Sequence, residues 1–376
     1  MSRCWWICCS EAPMPLYEHA ARRPLEQKRT GIPKSFSKPS RYGNAVGRIM
    51  VHESTFLKRE QIGRMTQMDF SGAIRVLMET VYASYLQGAR LSHEVEEGLM
   101  RFLADEYHFL DETSRGTLVA RFMHLKYDFH NLRVLLKRHH LAGAGGDEVI
   151  SELGTVPETD MLDAIEGRRP ARQLPDQVQR VIDLTAAAMG EGPDPQRIDS
   201  IVDRAFLEER LDVAEHERSQ LLVAFSQAAI DLANLRVVLR GHRLEKGPGF
   251  YEEALARGGR LSRSRLLAMA VEPFETVTDR LLESRYGKML EPVLSRSEGR
   301  VRLTYLDKES DEYLLDQVRL FWRVSVGPER IVKYMLTREN EVAMLRVILM
   351  GKLHGLTPEA ISARLPAAYL YDESGR

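Results

Sequence analysis

Residues 118–136 read LVARFMHLKYDFHNLRVLL, and Leu118, Phe122, Leu125, Phe129, Leu132 and Leu136 within them are spaced 4, 3, 4, 3, 4. An apolar stripe at that spacing is one face of an α-helix. Adding 103 gives Leu221, Phe225, Ala228, Leu232, Leu235 and Leu239, apolar throughout. Adding 213 gives Ile331, Met335, Arg338, Val342, Leu345 and Leu349, with Arg338 the one exception. Polar positions repeat as well: Asp128, Asp231 and Glu341; Arg133, Arg236 and Arg346; and, in two copies, Asn131 and Asn234, where the third has Met344. Steps of 103 and 110 residues are too long for a solenoid unit. The pattern predicts three homologous helical domains, a plan that suits a machine part or platform better than a single-pocket enzyme.

The chain of 376 residues has room for them. Its boundaries read as an extension over residues 1–40, then repeats over 41–147, 148–250 and 251–376. The extension holds five of the sixteen prolines and seven Lys or Arg against three Glu, shows no apolar period, and reads as disordered. Its run Cys4-Trp5-Trp6-Ile7-Cys8-Cys9 is too short for the apolar core of a signal peptide. All three cysteines lie there, so the repeats have neither disulfides nor thiolate metal sites, as in a reducing cytoplasm. No stretch approaches about 18 uninterrupted apolar residues, which argues against a membrane span.

Glycine and proline mark the joints: Gly143 to Gly146, Arg168-Arg169-Pro170, Gly190 to Pro195, Gly247-Pro248-Gly249 and Gly258-Gly259. Asp69 precedes a helix through Ile74 and Leu77, Asp199 precedes one through Val202 and Leu211, and Thr357-Pro358 opens a short last helix. Tyr286-Gly287 to Leu290 echoes Tyr82-Ala83 to Leu86. The alternating stretch Arg300 to Tyr305 is short and alone, so no sheet of consequence is expected.

Catalytic and cofactor signatures are missing. There is no P-loop, no Gly-x-Ser-x-Gly elbow, and no strand ahead of Gly143 and Gly145 for a dinucleotide fold. The His-Glu pairs at His52, His93 and His216 lack a second histidine four residues on, where Phe56, Glu97 and Gln220 stand. His139 and His140 are adjacent and point about 100° apart on a helix, a poor metal site. The reading is therefore no catalytic residue, no cofactor, no metal and no small-molecule substrate. Basic helix ends, Lys137 to His140 and Arg240 to Arg243, complement the negative helix terminus. With a net charge of −1 and no interleaved aromatic ladder, nucleic acid is not the expected partner. A partner protein with acidic side chains is the functional middle ground, and Arg133, Arg236, Arg346, His139, His242 and Lys352 are the interface candidates. A scaffold binding RNA or another protein through the basic ends, and a hydrolase using His139, His140 or one of the His-Glu pairs, are the competing readings.

The wording of the helices carries a resemblance. Asp128-Phe-His-Asn131-Leu-Arg133-Val-Leu-Leu136-Lys137 and Asp231-Leu-Ala-Asn234-Leu-Arg236-Val-Val-Leu239-Arg240 look like the acid-x-x-Asn-Leu-basic-x-x-Leu-basic helices of the C subunit of bacterial and archaeal V/A-type ATPases (ATP synthases), similar to the d subunit of the eukaryotic vacuolar ATPase. The segment from Glu341 through Gly355 to Glu359 resembles that family's last repeat, and Tyr42 to Met50 its first helix. Met344 and Arg338 depart from the pattern. The resemblance implies an all-α protein whose three homologous domains form a pseudo-threefold funnel, one copy per complex. It implies a socket for the central shaft subunits, an opposite face on the membrane proteolipid ring, and a cytoplasmic, peripheral location. It further implies a non-catalytic rotor part that hydrolyses nothing itself and couples ATP turnover to proton or sodium transport.

Overall fold

The computed structural model describes residues 41–141, 148–168, 174–190, 192, 194–294 and 303–365. The extension at 1–40, the Gly143–Gly146 linker, Arg169-Pro170 and the tail from Asp372 lie outside them. Among the described residues the chain forms seventeen helices and no strand. Of the alternating stretch, Leu303 to Tyr305 is described, and it opens a helix.

The described residues divide into two compact units, one running to Gly116 and resuming at Ser325, the other Thr117–Val324. The first begins with α1 (Gly43–Glu53), α2 (Arg59–Gln67), α3 (Phe70–Leu77), α4 (Ala83–Leu86) and α5 (Ser92–Thr113). Local chemistry sets the starts. Asp69 accepts the Gly72 amide at 2.8 Å to cap α3, and Glu94 accepts the Arg90 and Leu91 amides ahead of α5 at 2.7 and 2.9 Å. Val95, Leu99, Phe102, Leu103 and Leu110 form the buried stripe of α5.

The second unit holds α6 (Val119–His140), α7 (Glu158–Ile165), α8 (Asp176–Met189), α9 (Pro195–His216), α10 (Gln220–Arg243), α11 (Pro248–Ala254), α12 (Arg263–Met269), α13 (Phe274–Leu282), α14 (Gly287–Leu294) and α15 (Leu303–Phe321). α9 starts a turn earlier than the sequence reading placed it. Asp194 caps it through the Gln196 amide, Pro195 takes the first helical position, and Asp199 is already one turn inside. Ser219 caps α10 through the Leu222 amide. α10 has the length and composition of a membrane span, yet most of that window is packed inside the protein, as in a core helix.

The first unit resumes with α16 (Pro328–Leu353) and α17 (Pro358–Ser362). α16 closes on Gly355, whose φ of +70° suits glycine, while the Leu356 amide returns to the Gly351 carbonyl at 2.8 Å. Thr357 caps α17 through the Ala360 amide.

The three helices with the repeated stripe are α6, α10 and α16. α6 packs lengthwise on α9, α10 on both α9 and α15, and α16 on α5. Leu132, Leu136, Leu235, Leu239, Leu345 and Leu349 are wholly buried. Each contributes about 1.5–3 kcal/mol. The first two copies each pair with a long helix that follows them in the chain, and the second also packs on α9 just before it. The third pairs with a helix that lies far ahead of it in sequence, so the first unit is built from both ends of the described chain.

Candidate functional site

The recurring acid of each stripe helix is buried and accepts backbone N–H groups from a loop. Asp128 takes the amides of Thr155 and Val156 and the Thr155 hydroxyl, the last at 2.8 Å. Asp231 takes the amides of Arg260 and Leu261 at 3.1 and 2.9 Å and the Tyr286 hydroxyl at 2.7 Å. Glu341 takes the Leu57 amide and the Tyr82 hydroxyl. The sequence echo between Tyr82 and Tyr286 therefore marks one role in two copies, and Thr155 supplies the hydroxyl in the other. Burial pushes the Asp231 carboxyl up, while the Leu261 amide and the Tyr286 hydroxyl hold it down. Burial drives the Tyr286 phenol up, with the Asp231 charge adding to the rise. Gly259 makes the approach possible, since a Cβ there would stand 2.2 Å from Asp231 Oδ1.

Three residues further on, Asn131 bridges the Ser151 amide and carbonyl at 2.8 Å each, and Asn234 does the same for Ala256 at 2.8 and 2.9 Å. Met344 occupies the third such position and is buried without that bridge.

The recurring arginine grips the long partner helix. Arg133 pairs with Asp203 and lies 3.5 Å from Asp199, which also takes Lys137 at 2.7 Å. Arg236 binds Asp307 at 2.6 Å, with Asp311 one turn on. Arg346 binds both oxygens of Glu96 at 2.8 and 2.6 Å, with Met100 Sδ at 3.6 Å. Burial pushes the Asp203 carboxyl up against the pull of Arg133. Five residues of helix turn through about 500°, so acid and arginine leave each stripe helix about 140° apart. One fixes the helix to a loop and the other fixes it to a helix.

The equivalence extends to the partner helices. Adding 103 to Glu96 and Glu106 gives Asp199 and Glu209, and adding 108 to Asp199 and Asp203 gives Asp307 and Asp311. Glu106 accepts the Tyr334 hydroxyl at 2.5 Å, and Glu209 pairs with Arg121, which stands in α6 where Tyr334 stands in α16.

Of the six interface candidates, Arg133, Arg236 and Arg346 thus make these intramolecular ion pairs. His242 Nε2 lies 3.0 Å from the Met269 carbonyl, and Lys352 donates to the Thr66 carbonyl at 2.6 Å. His139 is exposed, its ring edge-on to that of His140 at 4.8 Å, and burial beside His139 lowers the His140 pKa. The six fall on three separate helices, two to each of α6, α10 and α16. Sequence reasoning missed the acids that receive the arginines, although the same 103-residue offset relates Glu96 to Asp199.

Residues 45–364 match the family model of the ATP synthase (C/AC39) subunit. The chain belongs to that family. Among C/AC39 relatives, it is 30% identical over 345 residues to the C subunit of the A-type ATP synthase of Haloferax volcanii, covering 85% of this chain and 96% of that protein. It is 24% identical over 322 residues to the C subunit of the V-type sodium ATPase of Enterococcus hirae, covering 85% and 97%. It is 25% identical over 317 residues to the C subunit of the V-type ATP synthase of Thermus thermophilus, covering 82% and 93%. The repeated acid, asparagine and arginine all fall inside the stretch matched by the C/AC39 model.

Proposed function

We propose that this chain is the non-catalytic central-stalk adaptor of a V/A-type rotary ATPase. It acts within a membrane-associated complex whose other subunits are its partners. In the finer reading, one copy per complex forms a pseudo-threefold funnel of three lobes. Its socket receives the central shaft of the soluble sector and its opposite face sits on the membrane proteolipid ring. ATP hydrolysis or synthesis is thereby coupled to proton or sodium movement. The helix ends bearing His139, His242 and Lys352 enter this reading as places where partner subunits meet the chain.

The observation that carries the proposal is the triplicate brace, in which acid and arginine tie each stripe helix to two neighbours. An adaptor under load needs each long helix held against sliding and rotation. Charged bonds on two faces supply that in a way an apolar stripe does not. The test is affinity purification of the tagged full chain from cells expressing the ATPase. Recovery of shaft and proteolipid subunits in the same complex is expected. A chain that remains monomeric while the complex assembles without it would overturn the reading. Tight RNA binding with a steep salt dependence would instead favour the scaffold alternative.

A further inference from the structure

Arg210 stands apart from the other buried arginines. It lies on α9, is 6% exposed, and its guanidinium rests on the rings of Phe206 and Phe225 at 5.0 and 5.3 Å. Arg133, Arg330 and Arg338 are also buried or nearly so, and each meets a carboxylate. Arg210 makes no hydrogen bond or ion pair among the described residues, and its Nε is buried without an acceptor. Its neighbour Glu209 is engaged with Arg121. Burial pushes the Arg210 pKa down, to about 10.

The equivalent positions make the contrast sharper. The offset that takes Glu96 to Asp199 takes Tyr107 to Arg210, and the one that takes Asp199 to Asp307 takes Arg210 to Val318. Val318 is apolar and buried, and the Tyr107 hydroxyl reaches the Glu339 carboxylate. A polar group at this place in α5 has its anion, and an apolar group in α15 needs none. Arg210 has the charge without the anion. Two aromatic faces offset part of the cost of such a cation, and an anion offsets more.

We propose that Arg210, held between Phe206 and Phe225, is a receiving site for a single oxyanion, the carboxylate of an acidic side chain on a neighbouring subunit. One guanidinium matches one carboxylate in charge and presents the paired donors that a carboxylate accepts. A phosphate group carries more charge than one guanidinium neutralises. The partner being another subunit of the ATPase rests on the adaptor reading.

The experiment compares the full-length wild type with Arg210→Met and Arg210→Lys. Thermal melting is measured on the free chain, and binding on the ATPase complex purified without this chain. Arg210→Met is expected to melt at or above the wild-type temperature, because it removes an unmatched buried charge, and to bind the complex at least tenfold more weakly. Arg210→Lys, which keeps the charge and loses the fork, is expected to fall between. Wild-type affinity in both variants overturns the proposal. Failure of the wild type itself to bind overturns the adaptor reading instead. If Arg210→Met does not fold, Arg210→Lys decides by the same criterion. A parallel melt in acetate and in phosphate separates the sources. Stabilisation of the wild type by acetate, lost in Arg210→Met, supports the carboxylate. Stabilisation by phosphate alone, with unchanged complex binding in the variants, overturns it in favour of a free anion.

Discussion

Arg338 is the one charged residue on three otherwise apolar stripes, and replacing it tests the account of the first unit. Its guanidinium is buried and binds Glu341 at 2.8 Å, the Thr55 hydroxyl at 2.5 Å and the His52 carbonyl at 3.1 Å. It lies 3.3 Å from Glu106 and 4.5 Å from the centre of the Phe56 ring. Burial acts to lower its pKa, but Glu341 and Glu106 reverse the sign and hold it well above the ordinary value. Arg338→Leu installs the residue type that the first copy has at Leu125. It also strands two buried carboxylates, and breaking a buried pair costs about 3–5 kcal/mol. The lower end applies, because Glu106 keeps the Tyr334 hydroxyl and Glu341 keeps the Leu57 amide and the Tyr82 hydroxyl. We predict a loss of about 3 kcal/mol, a fall in melting temperature on the order of 10 °C.

The triple variant Arg338→Leu, Glu106→Gln, Glu341→Gln removes the stranded charges and should return to within about 1 kcal/mol of wild type. Calorimetry reads both, and hydrogen exchange at the Leu57 amide localises the effect to the first unit. Acidity supplies a sign test. Burial already raises the Glu341 pKa, with Arg338 opposing, and without Arg338 it rises further. A carboxylate raised in the folded state favours folding below its unfolded pKa and loses that contribution as pH rises. The single variant should therefore lose less stability at pH 5 than at pH 8. An unchanged melt in the single variant, or no recovery in the triple one, would refute the buried ion cluster.

Four further outcomes are expected. Lys333 is wholly buried, and burial pushes its pKa down to about 8 against the pull of Glu53. Between pH 8 and 10.5 the unfolded chain binds more protons there, so stability should rise with pH by up to about 1.4 kcal/mol per unit, and Lys333→Met should flatten that slope in a pH series of denaturant melts. Among the repeated arginines, Arg133→Met should cost about 2–3 kcal/mol and Arg236→Met or Arg346→Met about 1 kcal/mol, because the Arg133 side chain is 7% exposed and the others are 21% and 22% exposed; equal denaturation midpoints would count against the ranking. Asn234→Met, copying the third repeat, should cost about 2–3 kcal/mol by stranding the Ala256 amide and carbonyl, and an unaltered midpoint would show the bridge to be dispensable. Gly259→Ala should cost about 1–3 kcal/mol because its methyl meets Asp231, whereas Gly247→Ala, with open space around it, should stay within about 0.5 kcal/mol of wild type; equal midpoints for the two would deny the close approach.

The helical class and the three stripe helices were legible because a long amphipathic period survives in sequence even when individual residues change. Asp69 and Thr357 show that caps are legible where a short polar side chain stands just before the period. The partners of the repeated residues were not legible. Asp231 reaches amides 29 and 30 residues away, Arg236 reaches Asp307, and Arg346 reaches back to Glu96. No local period encodes such distances. The 103-residue offset does relate Glu96 and Glu106 to Asp199 and Glu209, but the step to α15 is 108 where the stripe helices step by 110, and that shift hides the third member. The polar surroundings of Arg338 were hidden for a related reason. A charge on an apolar stripe reads as a defect until Glu106 and Thr55, from distant segments, are placed beside it.

The brace also explains why the acid and the arginine are kept five residues apart. A stripe of Leu and Phe alone defines a buried face, but it defines the position along that face weakly. Shifting such a helix by three or four residues brings other apolar side chains over the same partners, at a modest cost in packing. With the acid bound to fixed amides and the arginine bound to a fixed carboxylate on another face, the same shift strands several buried polar groups at once. Each stranded group costs about 1–3 kcal/mol, so the penalty for slippage exceeds what repacked leucines can return. Rotation about the helix axis fails for the same reason, since bonds about 140° apart cannot both be kept by any other angle. The apolar residues thus supply most of the stability, and the charged ones select one register from several that the apolar pattern tolerates. That division of labour recurs in α6, α10 and α16 even though Met344 has lost the asparagine bridge and Arg338 has left the apolar pattern, which singles out the acid and the arginine as the two polar elements the repeat does not dispense with.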